Sequence, residues 1–427
     1  MLMLSAYIPE MILTRRELHQ YPEIAWTEFM TTQTVVQRVR ELGFKTVLGK
    51  KLFDESRAFG RQEQVIKGAI ERAKAQGIDE ALLAEMDEFT GCMAIWETGR
   101  PGPVTAFRFD MDCVNVQELT SEDHVPAREG FTSKNNGLMH ACGHDAHTAI
   151  GLAVAHWVKD NADKLNGTIK LIFQPAEEGT KGACGIAYSG NLDDVDYFLA
   201  GHVGVNAKLH EVAVIREGFM ATTKMNVTYT GKASHAGGSP ELGRNALLAG
   251  CTASLQLMGI ARHGQGETCV NVGTLHAGEG RNVVPSKATL ELEVRGENHD
   301  INQYMQETAE RIIRGAAECY GCQYKIDIVG AATNIKADKE LSDIVFESAQ
   351  ALDTVQSVYN LSPKAGSEDC SFMMRRVQEH GGQAAFFLFG CNHHGHHQCD
   401  FDIQDTESMP DGLGVFLGVL KHLHTAA

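Results

Sequence analysis

Apolar positions recur at helical spacing from about Pro9 to Leu42, with Leu18, Ala25, Val35, Val36, Val39 and Leu42 on one face. The spacing predicts helix through that stretch. From Lys50 to Asp87 the pattern gives way to Glu, Lys, Arg, Gln and Ala, as in one or two exposed helices. A solvated helical insertion is expected there, with a subunit contact as the alternative. At Thr90 the pattern changes to short β-like runs alternating with helices, at Gly91–Glu97, Val104–Phe109, Thr168–Phe173, Tyr197–Ala200 and Ala384–Phe389. A helix is expected over Thr148–Lys159, with Asp145 placed to cap its N-terminus. Such alternation of strand and helix builds an α/β sheet.

Residues 218–332 read differently. Strand Lys224–Thr230, helix Asn245–Ala261, strands Thr268–Leu275 and Ala288–Arg295, helix Ile301–Cys319 and strand Cys322–Val329 follow in order. That order predicts a split βαβ, ferredoxin-like α+β unit. The α/β pattern resumes at Asp338–Leu352, so the smaller domain is expected to be inserted into a larger one formed by 1–217 and 333–427. No 20–50-residue repeat and no low-complexity segment interrupts either part.

Composition narrows the classes. At 427 residues the chain exceeds one ordinary core, which supports two domains. Its net charge of −17 argues against nucleic acid, whose phosphates it would repel. Met1-Leu-Met-Leu4 is too short for the apolar core of an export signal, and runs such as Leu413–Leu420 are too short to span a membrane. Eleven cysteines without regular spacing read as reduced thiols, so the cytoplasm is the expected compartment.

The chemistry gathers at His140-Ala-Cys-Gly-His-Asp-Ala-His147, where a thiol and three imidazoles share eight residues. Cys142 and His144 offer the donors zinc and its neighbours prefer, and Gly143 lets the backbone turn both toward one point. Taken alone, Cys142 would read as a small core hydrophobe, and His147 can simply pack within the helix. Three further clusters follow strands: Glu177 and Glu178 beyond Gln174-Pro-Ala176, His202 beyond Tyr197–Ala200, and His393-His-Gly-His-His397 beyond Ala384–Phe389. Asp110 and Asp112 follow Val104–Phe109 in the same way. Loops beyond the carboxyl ends of such strands converge on a ligand crevice, so a shared site is expected. Adjacent Glu177 and Glu178 suggest divided labour, one holding metal while the other takes the proton of a water that the metal acidifies. Attack on an amide carbonyl is the reaction implied. In the inserted domain His235 lies in a polar loop, and Arg281, Asn282 and Arg295 could hold a substrate carboxylate or be ordinary surface groups.

These motifs, with Phe109-Asp-Met-Asp112, Gly201-His-Val203, Ser234-His-Ala236, Asn282-Val-Val-Pro285, Gly366-Ser-Glu-Asp369 and His397-Gln-Cys-Asp-Phe-Asp402, resemble the aminoacylase and carboxypeptidase G class of co-catalytic metallopeptidases. The resemblance runs from about Arg15 to Asp402 and falls in the amidohydrolase branch, with hippurate and plant auxin-conjugate hydrolases. The insertion at Lys50–Asp87, Glu97-Thr-Gly-Arg-Pro-Gly-Pro103 and Phe219-Met-Ala-Thr-Thr-Lys224 narrow it toward hydrolases of p-aminobenzoyl-glutamate. The resemblance implies a catalytic domain with a mixed sheet flanked by helices, plus a lid and dimerisation domain. It implies two Mn²⁺ or Zn²⁺ ions on Cys142, His144, Glu178, His202 and His397, with Glu177 as general base and Asp112 orienting the site. It makes His235 a lid residue that stabilises the oxyanion, and puts Asn271, Arg281, Asn282, Arg295 and Gly366 on the substrate. Where the family has asparagine-proline after the last ligand, this chain has Gln398-Cys399, which leaves His396 as the alternative to His397.

The implied activity is hydrolysis of p-aminobenzoyl-glutamate, a step of folate catabolism, with indole-3-acetyl-aspartate or another N-acyl amino acid as the alternative. The implied assembly is a homodimer or a heteromer with a related B subunit. The rivals from other classes are a metal-storage or sensing protein and a catalytically inactive partner subunit. The presence of Glu177 beside a full ligand set speaks against both.

Overall fold

The computed structural model describes residues 4–425, so the first three residues of the amino-terminal stretch lie outside it. The chain divides into two compact units. The larger comprises Met1–Glu217, Ile335–Pro363 and Asp369–Ala427, and the smaller Gly218–Asn334 with Lys364–Glu368. The short return Lys364–Glu368 carries no periodicity of its own, so the strand pattern that drew a boundary near 332 gave no sign of it. It is tied to the smaller unit where Met220 N donates to Gly366 O at 3.0 Å and Ser367 Oγ to Met220 O at 2.8 Å.

An eight-stranded mixed sheet forms the centre of the larger unit. Thr168–Gln174, Val104–Asp110, Tyr197–Val203 and Gln383–Phe389 lie side by side and parallel. After its first residue each is buried throughout, as central strands covered on both faces must be. Cys92–Glu97 joins one side antiparallel and carries Lys45–Val47 at the edge. Glu211–Ile215 joins the other antiparallel and carries Ser357–Leu361 in parallel. Lys45–Val47, Glu211–Ile215 and Ser357–Leu361 were not anticipated, because runs this short show no usable period.

Two expectations are corrected. The stretch from Pro9 to Leu42 is two helices, Ile8–Gln20 and Phe29–Glu41. Pro22 disfavours helix in the residue before it, and Trp26 adopts a left-handed φ of 65°. The helix after the histidine-rich turn starts at His144, not Thr148, and Asp145 does not cap it. Gly143, at φ +85°, holds the capping position. Asp145 lies inside the first turn, where buried Arg15 (2.9 Å) and His19 (2.7 Å) take its carboxylate.

The insertion forms helices Glu63–Ala75 and Glu80–Met86, the second capped by Asp79. Its charged face is exposed as expected, but Ile66, Ala69, Ala73, Leu82 and Met86 are buried.

In the smaller unit, four antiparallel strands run in the order Gln323–Ala332, Ala221–Thr230, Lys287–Gly296, Thr268–Ala277. Helices Ala246–Met258 and His299–Cys319 pack on the sheet around Met225, Val227, Leu290, Leu292, Ala249, Ala253, Ala309 and Ile313. The alternation of buried Met225, Val227 and Tyr229 with exposed or half-buried neighbours puts one face of the first strand in this core. The β-α-β-β-α-β order is the ferredoxin-like arrangement.

Candidate active site

The four adjacent parallel strands end on one side of the sheet, and the candidate donors sit at those ends. Asp110 closes its strand and Asp112 follows it. Glu177 and Glu178 follow Thr168–Gln174 through Ala176, itself left-handed at φ 56°. His202 lies within its strand, one residue from the end, where a loop position was expected. His397 stands in the loop after Gln383–Phe389. Its N–H donates to Ala141 O at 2.8 Å, which brings the loop to the Cys142 turn.

The side chains meet. Cys142 Sγ lies 3.5 Å from His202 Nε2, and His397 Nε2 lies 3.1 Å from Glu178 Oε1. Among the described residues, the sets with donor atoms within 4.8 Å of one another include Cys142, His144 and His202; Cys142, Glu178 and His397; and His144, Glu177 and Glu178. The first two share the thiol. Cys142 Sγ also lies 3.4 Å from His396 Nδ1, but the other nitrogen of that ring accepts Val205 N–H at 3.0 Å. His396 is thus held at both nitrogens, while His397 faces Glu178.

Asp112 organises the turn around these groups. Its two oxygens accept the backbone N–H groups of Glu177 (3.1 Å) and Glu178 (2.9 Å), and Oδ1 lies 3.2 Å from His144 Nδ1. With Nδ1 so occupied, His144 turns Nε2 toward the donor cluster, where it is buried without a hydrogen bond. An orphaned imidazole nitrogen costs free energy unless something binds it.

The electrostatics point the same way. Burial, and then the nearby Glu178, holds the Cys142 thiol well above its usual range. Burial lowers His202 well below the usual imidazole range, which leaves a neutral ring. Burial would raise Glu178, but the hydrogen bond from His397, together with the charges of His144 and His397, outweighs it and keeps the carboxyl low. Burial opposes it, but the nearby Asp110 and Cys142 raise His144 well above the usual imidazole range, and the hydrogen bond to Glu178 raises His397. A divalent ion on these donors would displace those protons and deprotonate the thiol. The donor set fits such ions.

Arg108 escaped the sequence reading, as did the supporting roles of Asp110, Arg15 and His147. Asp110 accepts from His147 Nδ1, and His147 Nε2 accepts Val203 N–H at 2.9 Å, so His147 fixes the strand end beside His202. Arg108, wholly buried, binds Asp110 and reaches Asp369 at 3.1 Å and Gln174 at 2.7 Å. Arg15 joins Asp145 to Asp402 (3.0 Å), linking the Cys142 turn to the loop after His397. The available signal was an arginine inside the otherwise apolar run Val104–Asp110, since a buried guanidinium demands carboxylates.

The other expected residues belong to the smaller unit. His235 is exposed, with Nδ1 accepting Gly238 N–H at 2.9 Å, and its loop meets Asn282 where Ala236 N donates to Asn282 O at 3.0 Å. Arg281 is exposed nearby in sequence. Asn271 and Arg295 lie on neighbouring strands, and Arg295 makes a two-bond pair with Glu293, directly opposite Asn271. Gly366 is exposed at φ +87°.

A mixed α/β unit with two thiol-sharing donor triads, in a chain that also folds a ferredoxin-like unit, defines a class of metal-dependent amidohydrolase. The chain belongs to Peptidase family M20/M25/M40, whose profile matches residues 106–422, and it is an enzyme that hydrolyses amide bonds. It is 44% identical over 416 residues to a Haemophilus influenzae homolog of the A subunit of p-aminobenzoyl-glutamate hydrolase, covering 97% of this chain and 98% of that one. It is 46% identical over 403 residues to the indole-3-acetyl-aspartic acid hydrolase of Enterobacter agglomerans, covering 93% and 92%. The crystal structure of an aminobenzoyl-glutamate utilization protein from Klebsiella pneumoniae superposes with a TM-score of 0.85 at 39% identity, covering 98% and 97%. Among the described residues no helix is long and apolar enough to cross a membrane.

Proposed function

We propose that this enzyme hydrolyses p-aminobenzoyl-glutamate to p-aminobenzoate and glutamate in the cytoplasm, in the breakdown of folate. The observation that carries the reading is the pair of donor triads sharing Cys142, with Glu177 beside them. In this reading Cys142, His144, Glu178, His202 and His397 hold two ions, Mn²⁺ or Zn²⁺. Bound there, such ions supply positive charge that acidifies water and polarises a carbonyl. Glu177 takes the proton of the attacking water as the carbon–oxygen bond forms, then gives it to the amide nitrogen as the carbon–nitrogen bond breaks. Asp112 holds the N–H groups of Glu177 and Glu178 and so fixes both carboxylates. The smaller unit serves as lid and dimerisation domain, with His235 acting on the oxyanion and Arg281 and Asn282 on the substrate carboxylate. Asn271, Arg295 and Gly366 belong to the same substrate set. Exposed Leu255 and Met258 on helix Ala246–Met258 support assembly through this unit, as a homodimer or with a related B subunit.

Indole-3-acetyl-aspartate is the second reading, favoured by the Enterobacter relative. The two are separated by turnover of both conjugates with one preparation analysed for metal. Glu177→Gln is expected to cut turnover about a thousandfold with metal content unchanged. Retained turnover would remove Glu177 as the base. Tight metal binding with no turnover of any acyl-glutamate or acyl-aspartate would overturn the hydrolytic reading.

A further inference from the structure

The insertion between the first two strands of the large sheet has no part in the metal cluster, yet it is sewn to the loop and short helix that follow Glu177 and Glu178. Asp54 N donates to Gly185 O at 2.8 Å and Phe59 N to Lys181 O at 3.2 Å. Phe59 O accepts Trp26 Nε1–H at 2.7 Å. The Arg61 guanidinium then lies 3.6 Å from the centre of the Phe89 ring and 5.0 Å from that of Trp26. These contacts hold the Gly60–Ile66 stretch over Trp26. They leave a cleft of about 430 Å³ lined by Ile24, Trp26, Val65, Ile66 and Val114, with Glu178 in its wall.

We propose that this cleft seats the acyl group of the substrate and selects a flat aromatic ring, with the insertion as its specificity element. The inference rests on the amide-hydrolase reading and adds to it where the acyl side binds. The volume lies in the range of small-ligand clefts, and an acetyl group would leave most of it to water. Trp26 and Ile66 are almost wholly buried and form an apolar base for a ring, while Val65 is 39% exposed at the margin. Gln62 and Asn115, also in the lining, offer amide oxygens to a ring-borne N–H. Both an aminobenzoyl and an indolyl group carry such a donor. The charged insertion, which by composition alone is a solvated decoration, thereby becomes one wall of a binding site.

The test compares Val65→Phe, which adds a ring at an exposed margin without disturbing the buried base, with Lys67→Ala on the outward face of the same helix. Turnover of p-aminobenzoyl-glutamate and N-acetyl-glutamate is measured, together with calorimetric binding of p-aminobenzoate to the metal-loaded proteins. Val65→Phe is expected to lower the ratio of kcat/KM for the aromatic over the acetyl conjugate about tenfold and to weaken p-aminobenzoate to a similar degree. Lys67→Ala should match the wild type. An unchanged ratio with unchanged p-aminobenzoate binding overturns the cleft assignment and leaves the hydrolase reading standing. If the wild type cleaves neither conjugate, the p-aminobenzoyl-glutamate reading fails by itself, and the p-aminobenzoate titration of the two variants still decides whether the cleft takes an aromatic acid.

Discussion

Glu118 shows how much of the site's framework rests on single buried charges. One of its oxygens lies 2.8 Å from His124 Nε2 and 2.9 Å from His19 Nε2, and His19 in turn holds Asp145 beside His144. Burial pushes the Glu118 carboxyl up, but the hydrogen bonds from His124 and His19 outweigh it and bring the pKa to about 2. The folded value lies below the unfolded one, near 4.5, so the stabilisation is present above about pH 4.5 and is lost as pH falls toward 2. The stability advantage of the wild type over Glu118→Gln should therefore shrink by up to about 1.4 kcal/mol per pH unit below that point. Melting temperatures of both proteins from about pH 6 down to about pH 3 check this. A constant gap would show that Glu118 gains nothing from its charge. At this scale the sequence was legible where chemistry is dense. Cys142, His144, Glu178, His202 and His397 do gather, because a Cys-Gly-His turn and strand-end acids have few other uses. Arg15 and His19 were not legible, since their partners lie 99 to 387 positions away and nothing local marks them.

Among the elements, the helix His144–Asp160 matters most, because its first residue is a donor and its start is set by one glycine. Gly143 sits at φ +85°, and a Cβ added there would come 2.4 Å from Val203 Cγ1, the strand end next to His202. Gly77, also at φ +85°, has nothing within 4 Å of such an atom. Gly77→Ala should cost only the left-handed backbone term, about 1–2 kcal/mol, with metal affinity untouched. Gly143→Ala should cost about 1–3 kcal/mol more and weaken metal binding, because relief of the clash moves either the turn or the strand. Thermal unfolding and metal titration of both variants give the answer, and equal losses would refute the tight seat at 143. The same helix explains why boundaries were harder to read than elements. Asp145 has the chemistry of a cap, but Arg15 arrives from a distant helix and takes its carboxylate, so a tertiary contact overrides the local signal. The ferredoxin-like unit was legible element by element, with ends within three residues, since alternating strands and an amphipathic helix such as His299–Cys319 carry their own period. The three short strands of the large sheet carry none.

For the molecule as a whole, the donors are spread from Cys142 to His397, yet every one lies in the larger unit, whose chain is interrupted by the smaller. Each unit has a core of its own: the buried parallel strands in one, the Met225–Leu290–Ile313 cluster in the other. Units with separate cores can unfold separately, so two calorimetric transitions are expected. A ligand that binds only folded protein stabilises the unit that holds it, by about 2.7 kcal/mol at a hundred times its Kd. Adding manganese or zinc should therefore raise one transition in proportion to the logarithm of metal concentration and leave the other where it was. Chelator should lower that same transition, because the stabilisation that the bound ions give the folded unit leaves with them. A Cys142→Ala chain, which lacks the donor common to both triads, should show the metal-free profile at every concentration tested. Equal upward shifts of both transitions would mean that the two units melt as one cooperative block. No shift in either would mean that the clustered donors do not bind metal, and the chemistry proposed for them would fall with that result.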